Sequence, residues 1–165
     1  MKIFAMLVVI ILAIYAAQTS LLTFLDYNGV SANLMLLLIV STAFLRGQYF
    51  GVAMGFCTGL LQDFTTGDFF GCATFAYMTV GLLFGKFSDR VVKDQFLLPV
   101  VSAPIAVAIY FFITVGFIRM LGYPLDILKS IHTTLIPLIF YQIIFSLPIH
   151  KIVYDFDKFV IEYYD

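Results

Sequence analysis

Gly47-Gln48-Tyr49-Phe50-Gly51-Val52-Ala53-Met54-Gly55-Phe56-Cys57-Thr58-Gly59-Leu60-Leu61-Gln62-Asp63 carries a glycine at every fourth position from Gly47 to Gly59, and the next steps of the count reach Asp63, Gly67 and Gly71. On a helix of 3.6 residues per turn, positions four apart stay on one side and drift slowly around it, so the stretch predicts a strip without side chains on one helix face. Such small-xxx-small strips let a second backbone approach closely inside a membrane. In a water-exposed helix each glycine costs about 1 kcal/mol relative to alanine, so four in a row call for a compensating packing role. The strip serves either this chain's own bundle or a partner helix, and Gly47, Gly51, Gly55, Gly59, Gly67 and Gly71 are its candidate residues.

The surrounding chain supplies the solvent for that contact. Of 165 residues, 62% are hydrophobic and only 12% are charged, against roughly half and a quarter in ordinary soluble domains. The composition is that of an integral membrane protein with little material outside the bilayer, read as a single domain over 1–165. At about 20 apolar residues per crossing, five or six helices fit. Apolar runs between turn signals place them at roughly Ile3 to Phe24, Asn33 to Leu45, Gln48 to Phe64, Phe70 to Phe87, Phe96 to Leu121 and Ile127 to Ile149. The second run is short for an upright span, which points to a start before Asn33, a thin place in the membrane, or partial shielding by neighbours. Asp26-Tyr27-Asn28-Gly29 is a turn signal before it, and Pro137 predicts a bend in the last run. The first run extends beyond a typical signal-peptide core and is read as a span.

Orientation follows from lysine and arginine. Lys2, Arg46, Lys86, Arg90, Lys93, Lys151 and Lys158 fall on one side of a six-crossing topology, and Arg119 and Lys129 on the other. That distribution predicts both termini in the cytoplasm. The segment 151–165 sets Ile152, Val153, Phe156, Phe159, Val160 and Tyr163 at helical spacing, a short amphipathic tail in the cytoplasm or at the interface.

Chemistry-bearing residues are few. Asp63 lies about 16 residues from Gly47, or ~24 Å along a helix, near the outer edge of the hydrocarbon layer. A carboxylate there serves as a structural pair, a helix-end acceptor, or a ligand or partner contact, and Arg119 is its expected counter-charge with Lys129 second. His132 and His150 stand about five turns apart and cannot share a metal from one helix face. Cys57 and Cys72 read as small buried residues. No hydrolase elbow or zinc-protease motif occurs, and Gly81-Leu82-Leu83-Phe84-Gly85-Lys86-Phe87-Ser88 fails as a phosphate loop: its glycine spacing is one short and it follows no strand. A net charge of −1 without a basic stripe disfavours nucleic acid. The expectation is a protein that is not an enzyme and carries no cofactor.

The order Asn33-Leu34 through Leu45, Arg46-Gly47, Gly51, Gly55-Phe56, Gly59-Leu60-Leu61, Asp63, Gly67, Gly71 and Ala76-Tyr77, with Gln142 and Phe145-Ser146-Leu147-Pro148 before a charged aromatic tail, resembles the MreD family of bacterial rod shape-determining membrane proteins. Asn33 stands where that pattern leads one to expect an acidic residue. The resemblance implies an all-α, six-helix bundle in the bacterial cytoplasmic (inner) membrane, similar in fold to the substrate-binding subunits of energy-coupling-factor vitamin transporters. It also implies a non-enzymatic scaffold for cell elongation, with MreC as partner and MreB, RodA and a penicillin-binding transpeptidase as further components. The fold likeness supplies the alternative, a vitamin-binding transporter subunit in which Asp63, Asp68 and Asp26 contact the ligand and Ala13 and Ala17 form the docking face.

Overall fold

The computed structural model describes residues 2–20, 30, 32–66, 70–88 and 97–164, and the expectations for Asp26, Gly67, Asp68, Arg90 and Lys93 lie outside them. The described residues are almost wholly helical: α1 (Lys2–Ser20), α2 (Leu34–Arg46), α3 (Gln48–Thr66), α4 (Cys72–Gly85), α5 (Leu97–Met120), α6 (Ile127–Ser130), a π-helical turn (Ile131–Leu135) and α7 (Ile136–Tyr164).

The short second run becomes the centre of the bundle. α2 has 13 residues, about 20 Å of rise, and every residue from Leu34 to Leu45 is buried. α1, α3, α4, α5 and α7 all contact it. A helix apolar all round is stable only where it is surrounded, and α2 is sheathed by protein. The sheath in turn presents Phe64, Phe75, Val101, Ile105, Phe112, Phe140 and Ile144 outward, each more than half exposed. So much large apolar side chain on the outside is foreign to a water-soluble surface and suits lipid.

Two segments are long and apolar enough to cross a membrane, Pro99–Met120 and Ile127–Phe159, and Val9–Ser20, Leu34–Arg46 and Cys72–Gly85 are shorter apolar helices. The last segment departs from expectation. Where Pro137 predicts a bend, the chain makes a π turn just before it: Ile136 N–H bonds to Ile131 C=O, a wider closure beside a ring lacking an N–H. The tail is not a separate helix either. α7 runs through Pro148 to Tyr164, and the tail's inward face is Val153, Tyr154, Phe156 and Asp157, while Ile152 and Phe159 are exposed.

Contacts between helix ends define two poles. At one, Ser88 Oγ donates to the Phe44 carbonyl (2.7 Å) and Arg46 pairs with Asp157, the guanidinium also lying 4.9 Å from the Phe50 ring centre. At the other, Gln18 Oε1 accepts from Met35 N–H (3.1 Å) and Gln18 and Gln62 approach to 3.5 Å.

Candidate functional site

The α3–α4 pair makes the most extensive helix contact of the bundle. A Cβ built on Gly51 would stand 2.6 Å from the Gly81 carbonyl oxygen, and one on Gly55 2.6 Å from that of Tyr77; one on Gly59 would overlap the Thr74 backbone. The relation is reciprocal, since Gly81 faces the Gly51 carbonyl and Gly85 faces Gln48. Ala73, Tyr77, Gly81 and Gly85 are themselves four apart, so two strips run antiparallel and backbone meets backbone. Sequence reasoning misses Gly81 and Gly85: their four-residue spacing is visible, but it lies within the failed phosphate-loop pattern and names no partner by itself.

Gly47, whose main chain abuts Gly85, and Gly71 are glycine for a different reason. Gly47 is the single residue between α2 and α3, with φ +87°, and Gly71 precedes α4 with φ +94°. Nothing lies within 4 Å of a Cβ at either, so backbone conformation rather than space selects glycine there. Gly47 reverses the chain between two helices that then lie side by side.

Gly71 also shapes the surroundings of Asp63. The carboxylate is buried and accepts from Gly71 N–H (3.0 Å), Ala73 N–H (2.9 Å), Thr74 N–H (2.9 Å) and the Thr74 hydroxyl (2.5 Å). The first amides of a helix have no partner within it and carry the positive end of its dipole, so a carboxylate from α3 completes α4 where Gly71 itself has no side chain to do so. Arg119, the expected counter-charge, is elsewhere: it is exposed in the last turn of α5 and shares a pocket of about 650 Å³ with Asp126, Lys129, Ser130 and Thr133.

Asn33 is a second junction. Its Oδ1 caps α2 by accepting from Leu36 N–H (3.1 Å) and also accepts from the Tyr77 hydroxyl (2.8 Å), while its backbone carbonyl accepts from Gln142 Nε2 (2.9 Å). α2, α4 and α7 are thereby pinned at one residue. Beside it, Gln18, Asn33, Gln62, Tyr110 and Thr134 line a chamber of about 280 Å³. Further along α7, the His150 ring Nδ1 lies 3.1 Å from Ser41 Oγ, which places the histidine inside the bundle, whereas His132 is exposed. Cys57 is exposed on α3, contrary to expectation, and Cys72 is buried; both are free thiols. Among the described residues no cluster of histidine, cysteine and carboxylates is grouped to hold a metal.

On the bundle's flank, Leu83, Phe84 and Phe87 of the α4 end and Val101, Ile105 and Ile109 of α5 line an apolar groove of about 480 Å³, with Phe44 at its floor. No curated protein and no solved structure matches the chain. The family described as rod shape-determining protein MreD matches residues 1–160. With residues 1–160 matched, this membrane-suited helical bundle, which packs Gly51, Gly55 and Gly59 against α4 and caps α4 with Asp63, belongs to the MreD family, whose role is the determination of rod shape.

Proposed function

We propose that the protein is a non-catalytic scaffold subunit of the bacterial cell-elongation complex, which binds MreC and helps position peptidoglycan synthesis. In this reading the chain is one membrane domain that crosses the inner membrane six times, with both termini cytoplasmic and the end of α7 in the cytoplasm or at the interface. Its bundle is of the kind found in the substrate-binding subunits of energy-coupling-factor transporters. MreB, RodA and a penicillin-binding transpeptidase are reached through the same assembly.

The observation that carries the reading is the division of labour between seam and groove. The glycines of α3 are consumed by α4, so they set the internal packing and leave no room for a foreign helix. The groove between α4 and α5 is open and apolar, and a single-pass helix such as that of MreC is the occupant proposed for it. Inside a membrane, association depends on van der Waals fit and interhelical hydrogen bonds, because lipid offers as much apolar contact as leucine does. Filling the groove with Ile105→Trp or Leu83→Trp should lower MreC co-purification in mild detergent with bundle stability retained. Undiminished MreC recovery with the groove filled would exclude this docking site.

The chamber of Gln18, Asn33, Gln62, Tyr110 and Thr134 favours the second reading, a vitamin-binding transporter subunit, because a cavity with convergent polar groups is the usual form of a small-molecule site. Affinity purification with identification of both proteins and small molecules separates the two. Cell-wall subunits support the scaffold; a vitamin and an ATPase module support the transporter.

A further inference from the structure

Arg119 and Lys129 are the two basic residues that the charge distribution sets apart from the other seven, and the structure brings both into one pocket at a single pole of the bundle. In the orientation proposed above this pole faces outward, where positive charge runs against the usual bias of membrane proteins, so two cations lining one pocket there call for a reason. Among the described residues neither is in an ion pair, whereas Arg46 at the opposite pole is held by Asp157. Both are exposed, and Ser130 and Thr133 add hydroxyl oxygens to the same wall.

We propose that this pocket binds the phosphate of a membrane lipid headgroup through Arg119 and Lys129, with Asp126 receiving a protonated amine on the same headgroup. The charges fit: guanidinium and ammonium groups favour phosphate oxygens, arginine with a two-pronged geometry and lysine as a point charge. Two cations and one carboxylate give the pocket groups of both signs, and a phosphodiester answers the two cations. Asp126 is then left to a headgroup cation, so phosphoethanolamine satisfies all three groups. An open pocket of about 650 Å³ is large enough to admit such a headgroup with its hydration.

Depth argues for a lipid rather than a dissolved phosphate. Arg119 closes α5, a segment long and apolar enough to span, and Lys129 opens the next such segment. Met120, Leu121, Tyr123 and Leu128 around them are exposed apolar or aromatic side chains, Met120 and Leu128 the most fully. A rim of that kind belongs at the boundary between hydrocarbon and headgroups, where tyrosine is enriched. The site stands apart from the α4–α5 groove and holds whether or not MreC occupies that groove.

The test is native mass spectrometry of the purified, delipidated full chain titrated with phosphatidylethanolamine or phosphatidylglycerol. Wild type should retain phosphatidylethanolamine in preference; R119Q/K129Q should bind it at least about tenfold more weakly, the scale of losing charge-assisted hydrogen bonds. R119K/K129R should stay within about threefold of wild type, and D126N should remove the preference over phosphatidylglycerol. Unchanged retention by R119Q/K129Q, or loss in R119K/K129R as complete as in the neutral variant, would overturn the proposal. So would full competition by millimolar inorganic phosphate or glycerophosphoethanolamine, which would make the ligand a soluble phosphate. Loss of a co-purified acidic protein from R119Q/K129Q with lipid retention intact would assign the pocket to a protein partner and overturn it as well.

Discussion

Gly51 of α3 and Gly81 of α4 lie against each other so closely that a methyl group on either would overlap the other's backbone: the Cβ of a residue at 51 would stand 2.6 Å from the Gly81 carbonyl oxygen and 2.7 Å from the Ala43 Cβ. Main chain on both sides of the contact means that no rotamer change can relieve a clash there. The two helices, and α2 behind them, are fixed at a spacing that only absent side chains permit.

Gly51→Ala, Gly81→Ala and Gly55→Leu should therefore lose bundle stability in detergent, by about 1–3 kcal/mol for the alanine changes and more for leucine. Gly116 is the control. It lies in α5 with nothing within 4 Å of a Cβ, so Gly116→Ala should be neutral or slightly stabilising. Thermal unfolding of the purified variants checks both; equal behaviour of Gly51→Ala and Gly116→Ala would dismiss the seam as the source.

Asp63→Asn should be costly although the shapes match. The carboxylate receives four donors, and an amide would turn an NH₂ group toward some of them. A loss of about 1–3 kcal/mol is expected, together with faster amide exchange at Ala73 and Thr74, the signature of a frayed α4 start. Arg119→Gln should leave both readouts unchanged, because Arg119 lies in a different pocket.

Asn33 and Tyr77 make a paired test. Asn33→Ala removes the cap of α2 and strands the buried Tyr77 hydroxyl, at an expected cost of about 2 kcal/mol. Adding Tyr77→Phe removes the stranded group, so the double variant should be less destabilised than the two single changes summed. Strict additivity in a double-mutant cycle would show the bond to be without energetic weight.

Arg46 and Asp157 join the end of α2 to the extension of α7, with the side chains 20% and 15% exposed. Asp157→Asn should cost about 1 kcal/mol or more, above the level of a fully solvated pair, because the guanidinium loses its partner in a half-dry site. Limited proteolysis should then cut the α7 extension sooner. Unaltered cleavage would mean that Val153 and its apolar neighbours hold that end by themselves.

Composition is enough to place the chain in a membrane, and apolar runs locate the described helix ends to within a few residues except that of α7, because burying 20 consecutive backbone units in oil leaves few alternatives to helix. The four-residue glycine period and the isolated acid were equally legible, since both are one-dimensional patterns. Ala73, Tyr77, Gly81 and Gly85 carry the same period on α4, yet period alone names no partner for it.

Partners were the business of the tertiary structure, and the reason is geometric. Counting residues along a spanning helix gives depth in the membrane but not direction around the axis, and depth alone pairs Asp63 with Arg119. Rotation of the helices and the left-handed turn at Gly71 gave Asp63 to the amides of α4 and left Arg119 beside Lys129. The same rotation decided that the glycines face inward, that α2 is enclosed, and that α7 continues as one helix past Pro148. Hydropathy fixes how far each residue lies from water; packing alone fixes which neighbour it meets.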